Sequence, residues 1–221
     1  MIGLYAITLG GTSGAVGARG EALREIRRGE IAFLAGEMPP PLSVEALRAH
    51  EAAVRRIAEA SEACLPARFG AAAQSEEALL ELARAREQEL MEALQLVRGR
   101  EQMTLRITSI AGHRSPPPPA APAGPGARYL EERRRARRIP ELDPLRAALE
   151  NISRAERVDR HSEPGLLASV YHLIDRGAGA RYRRVVEETA LEGLRAAVSG
   201  PWPAWSFAPE IVGLAEGGER P

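Results

Sequence analysis

Apolar residues fall along this chain in two rhythms, one of strands and one of helices. Ile2 to Thr8 is a short β-rich run ending in glycines, which predicts a first strand. Ala22–Ile26 and Glu30–Ala35 predict two more, joined by the turn Arg28-Gly29. After the breaker Met38-Pro39-Pro40-Pro41 the spacing becomes helical. Ser43 is placed to cap a helix over 44–60 whose apolar stripe is Leu47, Val54 and Ile57, with His50 in the same seam. Ser75 and Glu77 open a long helix over 76–98, in which Leu79, Ala83, Leu90, Leu94 and Val97 recur at helical spacing. Arg98-Gly99-Arg100 ends it with positive charge and a glycine. Met103, Leu105 and Ile107 then alternate with Thr104, Arg106 and Thr108, the pattern of a half-buried strand.

The run 113–126, with Ser115-Pro116-Pro117-Pro118-Pro119 at its centre, can form neither helix nor sheet and reads as a semi-rigid linker. Beyond it the pattern predicts a basic helix over 127–138 and a second helical piece reaching Glu150. Strands follow over 152–158 and 165–174, then a helix over 178–190 and a strand over 194–199. The second of these strands is apolar on both faces, which suits a central position. The expected fold class is therefore α+β in two small domains. An N-terminal mixed α/β domain spans 1–112, the Pro-rich linker 113–126, and a C-terminal helix plus ferredoxin-like α+β domain 127–221.

Charge narrows the range of partners. Thirty basic and thirty acidic residues cancel, and nucleic-acid binding needs a basic excess, so no nucleic-acid partner is expected. A single cysteine, Cys64, allows no internal disulfide and fits a reducing cytoplasm. The longest apolar run, around 165–174, is far too short to span a bilayer, so a soluble chain without a membrane partner is expected.

Candidate chemistry is thin. The glycine-rich loop Gly10–Gly17 follows a strand, as a phosphate-binding loop would. It lacks the Gly-Lys-Ser/Thr ending of a P-loop and the Gly-x-Gly-x-x-Gly spacing, and Gly14 stands one residue too close to Ser13 for a nucleophile elbow. His50-Glu51 begins a zinc-protease pattern, but Val54 stands where the second histidine belongs. His161-Ser162-Glu163 adjoins Pro164-Gly165 and reads as a hairpin turn. The residues thus give no catalytic group, no cofactor site and no metal site, and the chain is read as not an enzyme. The alternative is a nucleotide-binding protein or enzyme using the Gly10–Gly17 loop.

Prolines, glycines and aromatics carry more information. Gly200-Pro201-Trp202-Pro203-Ala204-Trp205-Ser206-Phe207 holds both tryptophans of the chain. Pro201 and Pro203 stiffen it, and an extended strap would put Trp205 and Phe207 on one face and Trp202 on the other, packed on the second domain. Leu65-Pro66-Ala67-Arg68-Phe69-Gly70 is a second such run, read as an edge strand with Arg68 paired to a local carboxylate. These runs, with Ala127-Arg128-Tyr129-Leu130, resemble in order the signatures of the gas vesicle protein L/F family (GvpL/GvpF). Ala204 and Trp205 stand where that family usually has proline and tyrosine.

The resemblance implies a cytoplasmic accessory or minor structural protein acting in gas vesicle assembly. Such a protein would bind the small apolar shell protein and other accessory proteins during nucleation, and exposed apolar surface would also allow self-association. The resemblance does not separate the F-type from the L-type role. Its candidate interaction or structural residues are Pro66, Arg68, Phe69, Gly70, Pro201, Trp202, Pro203, Trp205 and Phe207.

Overall fold

In the computed structural model, residues 1–12, 14–110, 139–161, 165–210 and 215–216 are described. The expected linker 113–126 and the helix over 127–138 lie outside them. The chain divides into two compact units, Met1–Glu101 with Trp202–Pro221, and Gln102–Pro201.

The first unit is built on strand β1 (Ile2–Leu9), whose residues from Gly3 to Thr8 are buried. On one edge β1 pairs antiparallel with β3 (Ile31–Gly36), which pairs in turn with β2 (Arg24–Arg28) across the turn at Gly29. Its other edge is shared by β4 (Cys64–Pro66), opposite Ala6 to Thr8, and β5 (Ala71–Ala73), opposite Ile2 and Gly3. The register against β3 shifts between Leu4 and Ala6, so Tyr5 sits in a bulge, a device that re-aims a side chain. Helix α1 (Val44–Ala60) starts as expected, with Ser43 Oγ accepting from the Ala46 N–H at 3.1 Å. It buries His50, Ala53, Val54 and Ile57, but Leu47, expected in that stripe, is 42% exposed.

The long helix expected over 76–98 is two, α2 (Glu76–Ala85) and α3 (Glu87–Val97), broken at Arg86. The core stripe survives the break: Leu79, Ala83, Leu90, Leu94 and Val97 are all buried. Arg86 leaves the helical conformation, and its guanidinium bonds Glu89 and donates to the Glu210 carbonyl at 2.7 Å.

The second unit takes the strand that the sequence pattern placed in the first. Strand β6 (Arg100–Ser109) lies between β8 (Leu166–Asp175) and β9 (Leu194–Trp202), and β7 (Ser153–Arg160) closes the sheet in the order β7-β8-β6-β9. Helix α4 (Asp143–Leu149), entered through a 3₁₀ turn at Pro140–Leu142, precedes β7, and α5 (Gly179–Glu188) joins β8 to β9. This βαββαβ order with the first strand inside is the ferredoxin-like arrangement. It needs four strands, and β6 is the fourth. The alternation of β6 correctly marks a half-buried strand, since Met103, Leu105 and Ile107 are fully buried; alternation cannot say which sheet receives it. These three pack with Leu145 and Leu149 of α4, Val170 and Ile174 of β8, and Tyr182 and Val186 of α5.

The C-terminal strap is the other boundary that differs. Its residues from Trp202 belong with the first unit and not the second. Gly200, inside β9, takes a φ of +113°, which favours glycine. Trp205–Phe207 form a 3₁₀ turn in place of an extended strand, because the N–H groups of Trp205, Phe207 and Ala208 bond back to Pro203 and Ala204 carbonyls. A last strand, β10 (Ala215–Glu216), pairs with β5.

Candidate functional site: an aromatic cluster built by two sequence signatures

The two signatures are separated by about 130 residues in sequence, yet both end beside one histidine. His50 projects from α1 and is 6% exposed. Its Nε2 lies 2.9 Å from the Ala67 carbonyl, which can only accept, so Nε2 carries the proton. The Tyr5 ring stacks on the imidazole at 5.0 Å between centroids, Phe69 meets it edge-on at 5.6 Å, and Trp205 lies tilted at 6.5 Å. On the opposite edge of β1 the Tyr5 carbonyl accepts from Ala67 N–H at 2.9 Å, continuing the ladder of β1 with β4. Thus the same backbone segment, at Ala67, is held by both the tyrosine and the histidine. Trp202, at the end of β9, has the Arg55 guanidinium 4.9 Å above its ring.

The nine signature residues divide by role. Pro66 is buried and opposite Ala6, Gly70 takes a φ of +85° that turns the chain into β5, and Phe69 and Trp205 enter the cluster. Pro203 is buried, Trp202 and Phe207 are half-buried, and Pro201 is exposed. Arg68 is exposed and, among the described residues, makes no side-chain hydrogen bond or ion pair, so the expected carboxylate pairing is not found. The spacing marks His50 only as a core histidine and does not single out Tyr5; the available signal was the one aromatic residue in β1.

Beside the cluster is a cleft of about 300 Å³ with Tyr5, His50, Phe69, Pro39, Pro40 and Arg19 among its walls. Its electrostatics are set by burial. Burial holds the His50 imidazole below its usual range, opposed by its hydrogen bond to Ala67. The Tyr5 hydroxyl is pushed up to about 12, by burial first and then by its bond to Glu21 at 2.6 Å. Folded His50 therefore takes up its proton at lower pH than the unfolded ring, which titrates near pH ~6.5. The stability this contributes is fully present above that value and lost as pH falls through the folded value. Unfolding midpoints measured from about pH 8 down to about pH 5 should fall less steeply in His50→Gln than in the unaltered chain. Parallel curves would refute a buried, neutral His50.

The two residues that follow the Gly10–Gly17 loop have their amides bonded within the protein. The Tyr5 hydroxyl accepts from Ala18 N–H at 3.0 Å, and the Glu21 carboxylate accepts from Arg19 N–H at 2.8 Å. A Cβ on Gly17 would strike that carboxylate, and one on Gly11 would strike Arg27 and Glu25. In the second unit, His172 is 3% exposed, with Nε2 3.1 Å from Glu156 and Nδ1 2.6 Å from the Tyr182 hydroxyl. Burial raises the Glu156 carboxyl, but hydrogen bonds from His172 and Arg146 outweigh it and bring it down to about 2. His161, of the supposed turn cluster, reaches Ser169 Oγ at 2.9 Å, while Ser162 and Glu163 lie outside the described residues. Among the described residues no group of three or more His, Cys, Asp or Glu is placed to hold a metal ion, and no helix is long and apolar enough to cross a membrane.

This architecture is that of known gas vesicle proteins. The crystal structure of GvpF from Anabaena sp. PCC7120 matches with a TM-score of 0.69 at 16% identity, over 94% of this chain and 95% of that one. The crystal structure of GvpF from Microcystis aeruginosa matches equally, at 14% identity over 94% and 98%. At such identities the likeness shows the fold. The "Gas vesicle protein L" of Streptomyces sp. (strain CB03234) is 26% identical over 239 residues, 92% of this chain and 88% of that protein. The model of the family described as "Gas vesicle synthesis protein GvpL/GvpF" matches residues 2–209, and the chain belongs to that family.

Proposed function

We propose that this protein is a non-enzymatic assembly factor of gas vesicles, working in the cytoplasm and at the vesicle. It holds the small apolar shell protein, together with other accessory proteins, while a vesicle is nucleated. The observation that carries the reading is the family match over residues 2–209, which spans both signature runs. Those runs meet in packed aromatics around His50 and not in an acid–base pair. The Gly10–Gly17 loop, the basis of the nucleotide-binding alternative, has two amides of the adjoining chain already bonded to Tyr5 and Glu21.

Co-expression tests the proposal. The shell protein should stay soluble and co-purify with this chain, and an equilibrium titration with ATP or GTP should show no saturable binding. A shell protein that pellets equally with and without this chain would defeat the assembly role. Saturable micromolar nucleotide binding, lost in Gly11→Val, would favour the alternative.

A further inference from the structure

The cleft beside the aromatic cluster has apolar walls made of rigid parts. They include the Phe69 ring, the pyrrolidine rings of Pro39 and Pro40, and Ala46 and Ala49 of α1. The two alanines stand three residues apart on one helix face, and their short side chains leave room beside the rings. At about 300 Å³ the cleft lies at the small end of ligand sites. It suits one or two fused rings and not a nucleotide or a helix.

One polar atom faces this space. His50 Nε2 donates to the Ala67 carbonyl, so in the neutral ring Nδ1 carries the lone pair. Burial keeps the ring neutral at pH 7. Among the described residues Nδ1 has no hydrogen-bond partner. His50 is 6% exposed, yet Nδ1 is not among the side-chain atoms sealed from solvent without a partner. The nitrogen therefore touches open space, and the open space that His50 borders is the cleft. Charges at the mouth are already answered: Arg19 pairs with Glu37 at 2.5 Å, and Glu45 lies in the first turn of α1, whose exposed amides favour a carboxylate.

A buried acceptor without a partner selects a neutral donor. A carboxylate or phosphate would set lone pair against lone pair, and an ammonium would lose its water against proline, alanine and phenylalanine. Flat apolar walls favour a flat ring. We propose that this cleft binds a neutral aromatic ring bearing one N–H or O–H donor, an indole or a phenol, with the donor on His50 Nδ1 and the ring packed against Phe69, Pro39 and Pro40. The ring is either a free small molecule or a tryptophan or tyrosine side chain offered by another chain. Such binding is a property of this chain alone and is independent of the assembly role.

The test is an NMR titration of the full chain, ¹⁵N-labelled in its histidines, with indole and separately with p-cresol. The His50 signals are those missing from His50→Gln. At least one of the two compounds should bind saturably, with Kd on the order of 0.1–1 mM for a ligand of this size. Nδ1 should move toward the position of a protonated nitrogen as it accepts the bond, while Nε2 moves little. N-methylindole and the methyl ether of p-cresol keep the rings without the donor and should bind about 10-fold more weakly than their parents. Ala49→Leu should fill the cleft and abolish binding while melting as the unaltered chain does. N-acetyltryptophanamide separates the two sources: binding with the same Nδ1 shift admits a side chain, and failure to bind where indole binds restricts the site to free small molecules, either result supporting it. Binding that leaves Nδ1 unmoved, that is equally tight without the donor, or that survives in a folded Ala49→Leu variant would overturn the proposal. So would saturable binding of neither parent compound, or binding of tetramethylammonium in their place, which would make the cleft a cage for cations.

Discussion

Trp205→Ala should lower the stability of the first unit by about 3 kcal/mol, the lower end of the range for removing a large aromatic from a core, because Trp205 is only half-buried. The residue does more than fill space. It closes the cluster on His50 at 6.5 Å and packs with the group that includes Tyr5, Leu34, Val54 and Ile57. It also fixes the turn from which the chain runs on to Glu210, where Arg86 takes the carbonyl, and to β10. The loss should appear as a drop in the thermal midpoint on the order of 10 °C. An unchanged melting curve with lost capture of the shell protein would instead assign Trp205 to the interface.

A second large effect is expected at Tyr182, in the other unit. Its side chain is fully buried at 0% exposure among Leu145, Leu149, Val170 and Ile174. Tyr182→Ala should cost about 3–5 kcal/mol and leave little folded protein at 37 °C, because a small domain has only ~5–15 kcal/mol in all. Tyr182→Phe separates packing from hydrogen bonding. It keeps the ring and removes only the hydroxyl that faces His172 Nδ1, leaving that buried nitrogen without its partner. The expected cost is about 1–3 kcal/mol. Urea unfolding of the two variants checks the ranking. A Phe variant as unstable as the Ala variant would mean that the hydroxyl, and not the ring, holds α5 to the sheet.

Much of the fold was legible in the sequence because it depends on local periodicity. The strands at 2–9 and 166–175 and the helix stripes at Leu79 to Val97 follow from spacing alone. What failed was long-range assignment. Strand β6 has the same alternation in either sheet, so its position between β8 and β9 could not be read from its residues. Pro201 and Pro203 announce a stiff segment, but its partners, Arg55 and His50, stand about 150 residues earlier. Leu47 fits the apolar period of α1 as well as Val54 does. Only the end of the core at His50 decides that one is exposed and the other buried. Tyr5, a member of the aromatic cluster, sits in a bulge that an uninterrupted strand pattern does not reveal.

The first unit is made of two stretches of chain with the second inserted between them. During synthesis, then, residues 1–101 emerge without the residues from Trp202 onward that complete their sheet and cover His50. Until the inserted unit has been made, β5 presents an unpaired edge and the cluster lacks Trp205. A chain that stops before Trp202 therefore carries an N-terminal unit without its final strand, the kind of open edge that chaperones and proteases act on.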